Sequence, residues 1–102
     1  MTRNHYILKG KKLKKVSLLE WALWFEIGEH RIVKQENVGK KHRVSTVFLG
    51  IDHNFSNQGP ELLFETMVFA EGEPENNDTY RYSTYEQAER GHEKVVKSLK
   101  KL

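Results

Sequence analysis

Apolar residues recur at two different spacings along the chain, and the switch between them predicts its elements. Residues 43–51 and 61–69 are two runs rich in β-branched and aromatic side chains. Between them lies a turn-rich segment, Asp52-His53-Asn54-Phe55-Ser56-Asn57-Gln58-Gly59-Pro60. The pair predicts a hairpin at the centre of one small sheet. A register that satisfies both faces sets Phe48 opposite Phe64, Thr46 opposite Thr66 and Val44 opposite Val68. The second face then carries Val47, Leu49, Leu63, Met67 and Phe69. Strands apolar on both faces are expected to be covered, at least in part, on both sides.

Upstream, residues 5–8 read as an edge strand, and residues 9–15 around Gly10 as an exposed loop or edge. Ser17 followed by Glu20 forms a capping-box pattern and opens a helix. Leu18, Trp21, Ala22 and Phe25 share one helical face, and Leu19, Leu23 and Trp24 widen the apolar band. Gly28 is expected to end that helix. Residues 31–38 read as a strand. A two-residue turn at Gly39-Lys40 would pair Val38 with Lys41, Val33 with Thr46 and Ile32 with Val47.

Downstream, residues 71–78 read as a mobile acidic loop containing Gly72, Pro74 and Asn76-Asn77. Residues 79–82 form a short last strand. Ser83 or Thr84, with Glu86 or Gln87, caps a second helix. Its apolar positions are Tyr85, Ala88, Val95, Leu99 and Leu102, and His92 falls on the same stripe. The order β-α-β-β-β-β-α implies an α+β fold, an antiparallel sheet of four to five strands packed with two helices.

Composition narrows the class of protein. The 102 residues fit a single domain spanning 1–102. There is no cysteine, which excludes disulfides and thiolate zinc sites. No apolar run approaches the roughly 18 residues of a membrane span, and the first residues lack the apolar stretch of a signal peptide. The expected location is the cytoplasm of a bacterial host. The net charge of +3 is unevenly spread. Lysines crowd residues 9–15, 40–43 and 94–101, while residues 71–78 are acidic.

The set Leu19-Glu20-Trp21-Ala22-Leu23-Trp24-Phe25, Ser45-Thr46-Val47-Phe48-Leu49-Gly50-Ile51-Asp52-His53, Leu63-Phe64-Glu65-Thr66-Met67-Val68-Phe69, Tyr82-Ser83-Thr84 and Gly91-His92 resembles a group of small uncharacterised proteins encoded by bacteriophages and prophages. The likeness covers most of residues 17–96. It implies an origin and no catalytic residues, because no activity is established for that group. Members of the group carry a glycine-rich stretch where this chain has residues 54–59, and the terminal lysine runs lie outside the shared pattern.

Three constellations carry candidate chemistry. Asp52, His53, Glu65 and His92 supply the groups for acid–base work or for a divalent metal with open positions. Their spacing matches no established metal motif, and no metal or cofactor is assigned. A turn-capping Asp52 and satisfied core partners for Glu65 and His92 are the commoner roles. No serine sits in a nucleophile elbow, and no glycine loop resembles a phosphate cradle.

The second constellation is basic. The core order α-β-β-β-α matches a double-stranded-RNA-binding module, and Lys11, Lys12, Lys40 and Lys41 would meet phosphates. The last helix, however, starts Tyr85-Glu86-Gln87-Ala88-Glu89, which repels phosphate at the position that module makes basic. A nucleic-acid partner therefore ranks low.

The third is a protein-binding surface with Trp24 at the flank of the apolar band, joined by Asn54 and Phe55 of the central turn. A homodimer through a sheet edge or Trp24 belongs to this reading. The preferred expectation is a small binding protein that modulates or inhibits a host factor. A small hydrolase or metal-dependent enzyme built on Asp52, His53, Glu65 and His92 is the alternative.

Overall fold

Side chains alternate across a strand, and in the two central strands of this protein one set is wholly buried. Val44, Thr46 and Phe48 of one strand, and Phe64 and Thr66 of the next, are all 0% exposed. The computed structural model describes residues 3–56, 58–72 and 78–101. Its strands are β1 (His5–Lys9), β2 (Lys12–Val16), β3 (Ile32–Val38), β4 (His42–Phe48), β5 (Phe64–Ala70) and β6 (Thr79–Tyr82). Its helices are α1 (Leu18–Phe25) and α2 (Tyr85–Lys100), with a 3-10 turn at Gly28–Arg31. The fold is α+β, as the pattern implied. The strands form two antiparallel sheets, a β1–β2 hairpin and a four-stranded meander β3-β4-β5-β6.

The central register is the expected one: Phe48 pairs with Phe64, Thr46 with Thr66 and Val44 with Val68. Helix α2 lies against this side and contacts all four strands of the meander. Thr84 and Gln87 form its capping box. Its buried stripe is Ala88, His92 and Val96, one residue per turn, with Val95 and Leu99 packing on Val38 and Val44 at its edge. Leu102 lies outside the described residues. Gly91 has a reason to be glycine. A Cβ there would sit 2.3 Å from the Tyr82 ring, so the helix backbone rests directly on that ring.

Several expectations are corrected. Of residues 9–15, read as an exposed loop or edge, Lys12 onward belongs to an exposed strand, β2, which pairs with β1 alone. Gly10, at φ +63°, turns the chain so that Lys9 pairs with Lys12. Four of the five β2 residues are exposed, so β2 carries no apolar alternation to betray it. Helix α1 stops at Phe25; Ile27 is already extended, and Gly28 begins the 3-10 turn. The β3–β4 turn has three residues, because Val38 pairs with His42. A bulge at Val33 then restores the expected Ile32–Val47 pair. The far side of the sheet is open: Ile32 and Phe69 are 43% and 40% exposed, and α1 does not cover it. The acidic-loop expectation falls largely on residues 73–77, outside the described residues.

Helix α1 docks where β4 ends. The Trp24 ring meets Phe48 edge-on at 5.7 Å, and Trp21 stacks on Phe25 at 4.7 Å. At Gly50, φ +75°, a Cβ would lie 2.3 Å from Trp21 Nε1, so only glycine lets the indole approach. These aromatic contacts hold the helix by its inner side, yet none of its residues is fully buried.

Candidate binding surface and the buried histidine

The four nominated polar groups do not converge. Glu65 pairs with Val47, as expected, and therefore stands on the open side of the sheet, where Oε2 accepts from Arg81 Nε at 3.2 Å. His92 stands on the opposite, covered side. Asp52 and His53 belong to the turn after β4. Asp52 Oδ1 accepts from the backbone N–H groups of Asn54 and Leu62, both at 2.8 Å. His53 Nδ1 lies 2.8 Å from the Ile51 carbonyl. Among the described residues no group of three His, Asp or Glu is placed to hold a metal ion.

His92 is 0% exposed and fully hydrogen-bonded. Nδ1 lies 2.6 Å from Thr46 Oγ1, and Nε2 lies 2.8 Å from Glu36 Oε1. Thr46 Oγ1 is 2.6 Å from Thr66 Oγ1. Burial pushes the Tyr82 phenol above its ordinary pKa. With Glu36 ionised, Nε2–H donates to its carboxylate, leaving Nδ1 to accept from the Thr46 hydroxyl. The chain Thr66–Thr46–His92–Glu36 thus threads polar groups through the core with both ring nitrogens satisfied.

Glu36 was not nominated from the sequence. The two-residue turn would have set it opposite Arg43, facing away from α2. The three-residue turn sets it opposite Val44, on the helix side. Its alternation with Val38 was the available signal.

The protein-binding candidates redistribute. Trp24 is half-buried, stacked on His30 at 5.1 Å and set edge-on to Phe48, so it anchors α1 inward. Asn54 braces the turn: Nδ2 donates to the carbonyls of Gln58 at 2.6 Å and Pro60 at 3.0 Å. Phe55 is exposed at the tip of that turn, with the Arg3 guanidinium 5.0 Å from its ring centre. The large exposed apolar surface lies elsewhere. Leu18, Leu19, Leu23 and Ile27 are 60%, 68%, 60% and 52% exposed. Leu19, Ala22, Leu23 and Glu26 share the outward side of α1 at helical spacing.

The nominated lysines form two separate groups. Lys11 Nζ bonds Glu89 Oε1 at 3.1 Å in the first half of α2, and Lys12 is exposed beside it in β2. Lys40 and Lys41 border a concavity with Leu99 and Lys100 at the other end of the helix. The chain matches no family model, no curated protein and no solved structure. No described helix is long and apolar enough to cross a membrane.

Proposed function

We propose that the protein is a small phage- or prophage-type binding protein that acts in the bacterial cytoplasm, engaging a host protein through the outward side of α1 and so modulating it. One observation carries the reading. A two-turn helix spends its inner side on aromatic anchors and leaves Leu18, Leu19 and Leu23, with Ile27 just beyond its end, more than half exposed. Contiguous exposed apolar side chains of this kind mark interaction surfaces on small proteins.

Charge narrows the partner. Residues 18–30 hold Glu20, Glu26 and Glu29 and no Lys or Arg. The complementary partner is an amphipathic helix with an apolar stripe bordered by Lys and Arg. A second copy fits less well. Antiparallel self-pairing centred on Leu23 would set Glu20 of one copy against Glu26 of the other, and like charges in contact oppose association.

The enzyme alternative loses its support, since its four groups lie on two sides of the sheet and in a turn. The test is a titration with two helical peptides of equal apolar stripe, one with a basic and one with an acidic border. Trp21 and Trp24, beneath the surface, report binding by fluorescence. The basic peptide is expected to bind and the Leu19→Gln/Leu23→Gln variant to lose it. Equal affinity for both peptides, binding unchanged in the variant, or concentration-dependent self-association in place of peptide binding would overturn the reading.

A further inference from the structure

The open side of the meander ends in a row across three strands, Asn37, Arg43 and Phe69, each the cross-strand partner of the next. All three are exposed, Phe69 by 40%. Arg43 is held in place: its Nη2 donates to Gln35 Oε1 at 3.0 Å, and Gln35 Nε2 donates to Ser45 Oγ at 2.8 Å. The turn between β3 and β4 adds Lys40 and Lys41 above this row. Asn37, Arg43, Phe69, Lys40, Lys41 and Glu71 are among the residues that line a concavity of about 520 Å³. A second concavity of about 460 Å³ on the other flank of the same turn adds Lys100.

An exposed aromatic ring, a fixed guanidinium, a side-chain amide and a lysine pair are the groups that a single nucleic-acid strand requires. An unstacked base lies on the ring, its edge reaches the amide, and its phosphates meet the cations. A duplex offers no such base, because its own stack occupies both faces. Among the described residues Glu71 is the one carboxylate lining the concavity, and it would steer phosphates toward the lysine flank. We propose that this corner of the sheet, built from Asn37, Arg43, Phe69, Lys40 and Lys41, binds single-stranded nucleic acid with one base stacked on Phe69. The site is distinct from α1 and does not depend on the protein-binding reading.

The experiment is fluorescence anisotropy with labelled oligonucleotides of roughly a dozen nucleotides: single-stranded RNA, single-stranded DNA of the same sequence, and the corresponding duplex. The single strands are expected to bind at about 50 mM salt, with log affinity falling against log salt at a slope of about −2 for three phosphate contacts. Phe69→Ala is expected to weaken binding about tenfold, and Phe69→Tyr to stay within about twofold of wild type, since stacking is retained. Lys40→Ala/Lys41→Ala should reduce the slope by about 1.4. Circular dichroism confirms that each variant is folded. Equal binding of RNA and DNA, or preference for RNA, both support the site, the latter adding a ribose contact. No binding at low salt, duplex binding as tight as single-strand binding, or indifference to Phe69→Ala in a folded variant would overturn it. The Leu19→Gln/Leu23→Gln protein should bind oligonucleotide as wild type does, which separates this outcome from that for α1.

Discussion

Replacing Thr46 by valine tests whether the buried polar chain is structural. The two side chains have nearly the same shape, so the change removes Oγ1 without opening a cavity. Thr46 Oγ1 stands 2.6 Å from both Thr66 Oγ1 and His92 Nδ1, in a site with 0% exposure. Among the described residues His92 Nδ1 has no other partner, and the residue is 0% exposed. A buried polar atom left unpaired costs about 1–3 kcal/mol. For a domain of this size, about 2 kcal/mol corresponds to a fall in Tm of roughly 8–16 °C. The second half of the test is the double variant Thr46→Val/His92→Leu. It removes the stranded nitrogen and frees Glu36, whose side chain is 31% exposed and can turn to water. The double variant is therefore expected to be more stable than Thr46→Val alone. Urea unfolding followed by Trp21 and Trp24 fluorescence gives both midpoints. A Thr46→Val protein within about 0.5 kcal/mol of wild type, or strictly additive effects in the double, would refute the reasoning.

Three further outcomes follow from the same contacts. Gly91→Ala gains about 1 kcal/mol of helix propensity but drives a methyl into the Tyr82 ring. The net is expected to be a loss of about 1–2 kcal/mol in a thermal melt, and a raised Tm would contradict the packing. Burial lifts the pKa of both Tyr82 and Tyr6 above the ordinary 10.0, with the Glu61 carboxylate adding to the rise at Tyr6. Their contribution to stability is present in full below that value and lost as pH climbs through the raised pKa values. Stability should thus fall on the alkaline side above about pH 10, and Tyr82→Phe should flatten the fall. Asp52→Ala removes the acceptor of two backbone N–H groups and is expected to cost about 1–3 kcal/mol. A variant as stable as wild type would show that the turn does not need the carboxylate.

Much of the architecture was legible because its cause is local. The pairing of Phe48 with Phe64 follows from period-two apolar residues on both strands, and only one register satisfies them. Thr84 with Gln87 is a cap readable from four residues. What escaped reading depended on contacts far along the chain. The strand at 12–16 is lysine-rich and exposed, so its pairing rests on the Gly10 turn and not on its own pattern. The apolar band of α1 reads as a sheet-covering face, yet only its aromatic residues Trp21, Trp24 and Phe25 turn inward, and the leucines remain outside. A one-residue difference in the β3–β4 turn hid Glu36, and with it the partner of His92. His92 lies on the expected buried stripe and takes the commoner role of a satisfied core group, but its partners Thr46 and Glu36 depend on strand register.

The central claim is that the outward side of α1 is where the protein meets its partner. Amide hydrogen exchange, with and without a saturating basic amphipathic peptide, reads this directly. Added protection is expected in α1 and at Ile27, with the β3–β4 turn unchanged. Protection confined to other elements, or none despite saturation, would contradict it.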